Sequence, residues 1–270
     1  MQLIDTHCHI HDPEFTAKYP KTTEVMLLEA HAAGVEKCIV VGTSGPSSQL
    51  AVEFAQKYAQ KYGVYATLAL HPHEVAEQSH EQLQKEFKLL EKLATEDRVV
   101  AIGECGLDYY YHKSEAIQSG QKALLRQHIE LALKHDLPLV FHIRSAFDDF
   151  FEIIDEYTAN CHKPRGVVHS FSAHLPELAG ALDHGFYISL NGIMTFTKDE
   201  HQLQAAKAVP LDKLVLETDA PFLTPKPFRG TMCEIKQVVL TAEFLSQLRE
   251  EPLAELAQQT TRNAVELFKL

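Results

Sequence analysis

No run of about 18 apolar residues interrupts the chain, which argues against a membrane-spanning helix. The amino-terminal MQLIDTHCHIH has no basic stretch followed by an apolar one, so no secretory leader is expected. Cysteine is sparse and unpaired in pattern: Cys8, Cys38, Cys105, Cys161 and Cys233 are scattered without a CxxC motif. An odd number of dispersed cysteines predicts reduced thiols in a cytoplasmic chain rather than a disulfide framework. Positive charge is also short, with Lys and Arg totalling 25 against 37 Asp and Glu, a net −12 with histidine neutral. A bulk field for gripping a nucleic-acid duplex is therefore absent, although a phosphate drawn to a local cationic centre stays compatible. No window is biased enough in composition to predict disorder, and no Pro/Ser-rich linker or repeat divides the sequence. The expectation is one domain over residues 1–270 with no obligate protein partner.

What is present is a regular alternation. Apolar, β-prone runs occur at 3–7, 35–41, 64–70, 99–104, 137–143, 166–171, 186–190 and 213–219. Helical patterns lie between them, as in 46–62 and in 116–136, where Leu124, Leu125, Ile129, Ala132 and Leu133 recur at helical spacing. Near-continuous apolar strands alternating with helices predict parallel strands covered by helices. Eight such units fit a closed (β/α)8 TIM barrel, with two further helices closing the chain after residue 233. A doubly wound open sheet is the alternative, and periodicity alone does not decide closure. The first strand is not followed by a Gly-rich phosphate loop, which counts against that alternative.

The polar residues are placed unevenly. The first strand runs into LIDTHCHIH, which sets His7, His9 and His11 at every second position, and alternation points His7 and His9 the same way. Adjacent imidazoles repel when protonated, and a cation between them relieves this; exposed histidines on an edge strand are the plainer reading. The other strands decide between the two. At or just beyond the ends of six of the eight runs (HCH, HPH, GECGLDYYY, FHIRS, VHSF and ETDAP) stand His, Glu or Asp, while the earlier residues are almost uniformly apolar, and in a barrel the strand ends are where catalytic side chains gather. His7, His9, His142, His169 and Asp219 form a four-histidine, one-carboxylate set, and Glu104 adds a carboxylate able to bridge two cations. Imidazole and carboxylate suit Zn, Mn, Fe or Ni, and carboxylate with water admits Mg. Asp219 is the candidate base for a water activated there. His71 and His73, in HPHE, are candidates for substrate contact, or are turn histidines. Asp108 and Tyr109, with Tyr110 and Tyr111, follow Glu104 closely and are expected at the same mouth, where tyrosines stack on a base or pack the loop. Arg144 and Arg229 are candidate anion contacts, or surface ion pairs. Cys8 and Cys105 alternate with proposed ligands and are expected to face the opposite way, as small buried residues.

Taken together, DTHCHIH, LHPHE, AIGECGLDYYY, FHIRSA, GVVHSFSA, SLNGIMTF, ETDAPFLTPKPFRG and TTRNAVELF resemble the TatD family of metal-dependent hydrolases, which has deoxyribonuclease members. The blocks run in order over essentially the whole chain. The resemblance implies a (β/α)8 barrel of the amidohydrolase type holding one or two divalent ions (Zn, Mg or Mn). It implies His7 and His9 as ligands of one ion, His142 and His169 as ligands of the other, Glu104 as the bridge, and Asp219 as ligand of the first and base. The family pattern after Arg229-Gly230 has an Asn and then a Pro where this chain has Cys233 and Ile235, a difference that bears on the loop and on substrate rather than on the metal set. The implied activity is cleavage of DNA, single-stranded or at its ends, in the manner of a 3'-5' exonuclease. The alternatives are a hydrolase of a small ester, amide or lactone, or a D-aminoacyl-tRNA deacylase using the same water. A binding protein that kept its metals but lost catalysis is a third, disfavoured by the intact Glu104 and Asp219.

Overall fold

The computed structural model describes residues 2–159 and 162–270, so Cys161 lies outside the described residues. Eight strands form one sheet in sequence order: β1 (Leu3–Cys8), β2 (Val35–Val41), β3 (Val64–Leu68), β4 (Val99–Asp108), β5 (Leu139–Arg144), β6 (Gly166–Val168), β7 (Tyr187–Leu190) and β8 (Leu214–Leu216). Every neighbouring pair from β1 to β8 is parallel. The sheet closes where β1 meets the segment after β8: Asp219 N donates to His7 O at 2.9 Å, His9 N to Ala220 O at 2.7 Å, and Cys8 bridges Ala220 in parallel. This is a (β/α)8 barrel.

Buried Asp5 fastens the same seam. Its carboxylate accepts from His7 N at 3.2 Å and from Thr218 N at 2.9 Å, and Thr218 Oγ1 donates to it at 2.5 Å. Burial outweighs those bonds and pushes the Asp5 carboxyl up to about 8. The residues that join the first and last strands are therefore neighbours of His7 and Asp219 in the chain.

The helices start and stop where local chemistry directs. Gly45–Tyr62 opens with Ser44 accepting from Ser47 N and Pro46 in the first turn, and closes on Gly63 at φ 60°. Glu115–His135 closes on Asp136, also left-handed. The two expected closing helices are Val238–Arg249, preceded by the short 3-10 turn Ile235–Gln237, and Leu253–Phe268. No helix among the described residues is long and apolar enough to cross a membrane.

Two apolar clusters divide the interior. The larger lies between the sheet and the helices and takes in Cys8, Cys38, Cys105, Phe141, Phe150 and Phe186. The smaller joins Ile4, Ile39, Val140, Val167 and Val215 from strands all round the barrel with Leu267 and Phe268 of the last helix. Contacts among strands on every side require those residues to fill the barrel's inside. Cys8 and Cys105 are fully buried, as expected, and the four described cysteines are free.

Strand ends are where sequence and structure differ. β6 stops at Val168 and β8 at Leu216, so His169 and Asp219 stand just beyond their strands, while β4 runs on through Asp108. Gly106, at φ 153°, allows that extension: a Cβ there would lie 2.0 Å from the carbonyl oxygen of His142.

Candidate metal centre

The side chains at the carboxyl ends of the strands converge on Glu104, which is buried. Its two oxygens face different groups. Oε2 lies 3.3 Å from His7 Nε2 and 3.8 Å from His9 Nε2. Oε1 lies 2.7 Å from His142 Nδ1, 2.9 Å from His169 Nε2 and 3.5 Å from His71 Nε2. Asp219 Oδ1 completes the first group, 3.3 Å from His9 Nε2 and 3.6 Å from His7 Nε2. Asp108 Oδ2 stands behind the second, 3.2 Å from His142 Nε2 and 3.0 Å from His73 Nε2.

These donor atoms fit divalent cations. His7 Nε2 and His9 Nε2 are 3.2 Å apart in a buried site, a separation at which two imidazole nitrogens share one proton or one cation. Two nitrogens each about 2.1 Å from one ion stand about 3.4 Å apart at a tetrahedral angle, close to that separation. Ligand atoms of His7, His9 and Glu104 lie within 4.8 Å of one another, as do those of His71, Glu104 and His142. The set mixes imidazole with carboxylate, the donor chemistry of Zn and Mn.

The electrostatics favour positive charge between the acids. Burial alone would raise the Glu104 carboxyl, yet the facing His169 and His71 imidazoles, with hydrogen bonds from His142 and His169, hold it well below the usual range. Burial likewise opposes protonation of His169, but Glu104 and Glu217 raise it well above its ordinary value. His142 is raised by Asp108 and Glu104, and His9 by Asp219, each against burial. Burial, with His169 alongside, lowers His7, and burial takes His71 down to about 4 despite Glu104. His7 and His169 stack with ring centroids 3.9 Å apart, which suits one neutral and one charged ring.

Of the residues singled out from sequence, His7, His9, Glu104, His142, His169 and Asp219 are brought together, and His71, His73 and Asp108 stand against them. Arg144 sits at the mouth with its guanidinium 4.0 Å from the Tyr110 ring centroid and 4.9 Å from that of Tyr111. Other residues are not brought to the cluster. Tyr109 turns its hydroxyl away to donate to Asp149 at 2.6 Å. Arg229 lies 3.7 Å over the Phe196 ring and donates to Thr224 O at 2.8 Å, fastening its own loop. His11 also leaves the group, with Nε2 3.1 Å from Ser47 Oγ.

A sequence model described as TatD related DNase matches residues 4–269. The chain belongs to the TatD family. It is 34% identical over 268 residues to the metal-dependent hydrolase YabD of Bacillus subtilis, covering 99% of each chain. It is 30% identical over 309 residues to the deoxyribonuclease Tat-D of Schizosaccharomyces pombe, covering 99% of this chain and 96% of that one. Among solved structures it resembles YJJV, a TatD homologue from Escherichia coli, with a TM-score of 0.88, 30% identity and coverage of 99% and 98%. The protein is a metal-dependent hydrolase of this family.

Within the TatD barrel, the buried acid beside His169 escaped sequence reasoning. Glu217 is fully buried, and its Oε1 lies 3.3 Å from His169 Nδ1 while accepting from Ser170 N at 2.8 Å and Asn191 Nδ2 at 3.0 Å. Burial opposes its ionisation, but His169 holds it down at about 2. Its signal was the ETD triplet, two residues before Asp219. The departures from the family pattern pack inward: Cys233 and Ile235 are buried, and Cys233 is held through its backbone, with N donating to Pro221 O at 3.0 Å and its carbonyl accepting from Tyr19.

Proposed function

We propose that this TatD-family hydrolase is a deoxyribonuclease that cleaves phosphodiester bonds of single-stranded DNA or DNA ends, in the manner of a 3'-5' exonuclease. The observation that carries the reading is the division of Glu104, with one oxygen toward His7 and His9 and the other toward His142 and His169. That arrangement suits two divalent ions (Zn, Mg or Mn), with His7, His9 and Asp219 holding one and His142 and His169 the other. When bound, such ions polarise the phosphoryl oxygens and make a nucleophile available from water near neutral pH. Asp219 takes the proton of the attacking water, being the acid beside the first group with side-chain exposure of 14%, against 7% for Glu104. Glu104 stays ionised and keeps the two groups together. Asp108 orients His142 and His73, and Glu217 orients His169. Free Cys8, Cys38, Cys105 and Cys233 support a cytoplasmic location.

The name of the Schizosaccharomyces pombe relative supports DNA as substrate. A second reading, hydrolysis of a small ester or amide or of a D-aminoacyl-tRNA, is favoured by the acidic residues Asp12, Glu74 and Glu77 that line the mouth. Metal-supplemented turnover of a fluorescent single strand, run beside a panel of neutral esters and a D-aminoacyl-tRNA, separates the two. Cleavage of the strand, abolished by chelation and restored by metal, is the expected result. Turnover of esters alone would replace the first reading by the second.

A further inference from the structure

The mouth above the donor cluster is a cavity of about 450 Å³, and its walls differ in kind. On the side of His9 and Asp219 stands Phe222, 46% exposed, its ring centroid 6.2 Å from that of His9 and in edge-to-face contact with Phe15 at 5.1 Å. Its position is fixed by the turn in which Phe222 N donates to Asp219 O at 2.8 Å. On the side of His142 and Asp108 stand Tyr111, 60% exposed, and Arg144. This wall is equally fixed. Asp108 Oδ1 accepts from Tyr110 N at 3.0 Å and Tyr111 N at 3.2 Å, and the Tyr111 ring meets His73 edge-on at 5.4 Å. Arg144 lies over the two tyrosine rings and makes no ion pair among the described residues. Exposed aromatic rings cost solvation unless something covers them, and here they flank the cluster on both sides.

We propose that Phe222 and the Tyr111–Arg144 pair are two base-stacking platforms, which take the unpaired nucleotides on either side of the scissile phosphate. This rests on the phosphodiesterase reading and names how that site selects its substrate. Aromatic rings and guanidinium planes accept any base face, so the platforms select for unpaired bases and not for sequence. They also answer the charge problem. With Asp12, Glu74 and Glu77 lining the mouth, the rim offers a polyanion little attraction, so grip away from the metals falls to stacking. A paired base keeps its faces inside the duplex and cannot lie on either ring, which sets single strands and frayed ends above duplex.

The test compares a single-stranded oligonucleotide with matched strands carrying an abasic sugar on one side or the other of the cleaved bond. Wild-type enzyme, Phe222→Ala, Tyr111→Ala and Tyr111→Phe are assayed on each after metal loading. Stacking on one ring corresponds to roughly five- to a hundredfold in kcat/KM. Phe222→Ala is expected to lose that factor on the intact strand and nothing further on the strand abasic at its own platform. Tyr111→Ala should behave likewise with the opposite abasic strand, and Tyr111→Phe should retain wild-type values. Both rings are exposed, so the variants fold, and metal content and circular dichroism confirm it. Equal losses on intact and abasic strands, or no loss, overturn the platforms while leaving the phosphodiesterase standing. Failure of the metal-loaded wild type to cleave any strand overturns both.

Discussion

Replacing Glu217 by glutamine removes one buried charge and little else. The glutamine carbonyl can still accept from Ser170 N and Asn191 Nδ2, now at 2.8 and 3.0 Å from Oε1. What disappears is the negative charge 3.3 Å from His169 Nδ1, in a pair whose side chains are 4% and 1% exposed. Two unit charges at that distance interact by about 5 kcal/mol at an effective dielectric of about 20, an upper bound here because a neutral ligand imidazole carries only part of a charge. Carboxylates behind a ligand histidine are worth about 10–100-fold in metal affinity or activity, or roughly 1.4–2.7 kcal/mol. Glu217→Gln should therefore weaken binding of one ion by that factor and leave the other nearly unchanged. The assay is a titration of metal-stripped protein by calorimetry, with turnover measured at saturating and limiting metal. Activity should recover largely at high metal. An affinity within twofold of wild type at both sites would refute the role given to Glu217.

Asp219→Asn keeps the shape of the acid beside His9 but removes the base, and turnover should fall by a hundredfold or more with at least one ion retained; near-wild-type turnover in a fully metal-loaded preparation removes Asp219 from the mechanism. His128 is buried, accepts from Leu70 N at 3.1 Å just before His71, and is held by burial at about 4. Because its folded value lies below the ordinary 6.5, the unfolded chain protonates first. Its contribution is thus full above pH 6.5 and is lost as pH falls to about 4, by up to about 3 kcal/mol. His128→Gln should flatten that part of the denaturation profile, and an unchanged slope would contradict the assignment. Arg229→Met removes the contact with Phe196 and the bond to Thr224, so DNA and ester turnover should fall by the same factor while the melting temperature drops. A loss confined to DNA would make Arg229 a phosphate contact instead.

Sequence periodicity located every strand because a parallel barrel buries both faces of its sheet, and apolar runs such as CIVV, the buried end of Val35–Val41, record that burial directly. The polar ends of those runs were legible for the same reason: His7, Glu104 and His142 interrupt stretches that are otherwise apolar. Loop residues were less so. Tyr109 follows Asp108 directly and Arg229 lies ten residues after Asp219, but which way a loop side chain turns depends on partners such as Asp149 and Phe196, which come from other elements. Glu217 was overshadowed by Asp219, because only the fold shows that the first meets His169 and the second meets His9. Nothing in the sequence marks Phe222, because only the fold leaves its ring half exposed above the cluster.

The central claim is that Glu104 joins two cation sites. Metal content per chain, measured by mass spectrometry on wild type and Glu104→Gln loaded with the same excess of Zn or Mn and then desalted, tests it most directly. Two ions per wild-type chain, falling to one or fewer in Glu104→Gln with the fold intact by circular dichroism, is the predicted result. A single ion in the wild type, or two in both proteins, would contradict it.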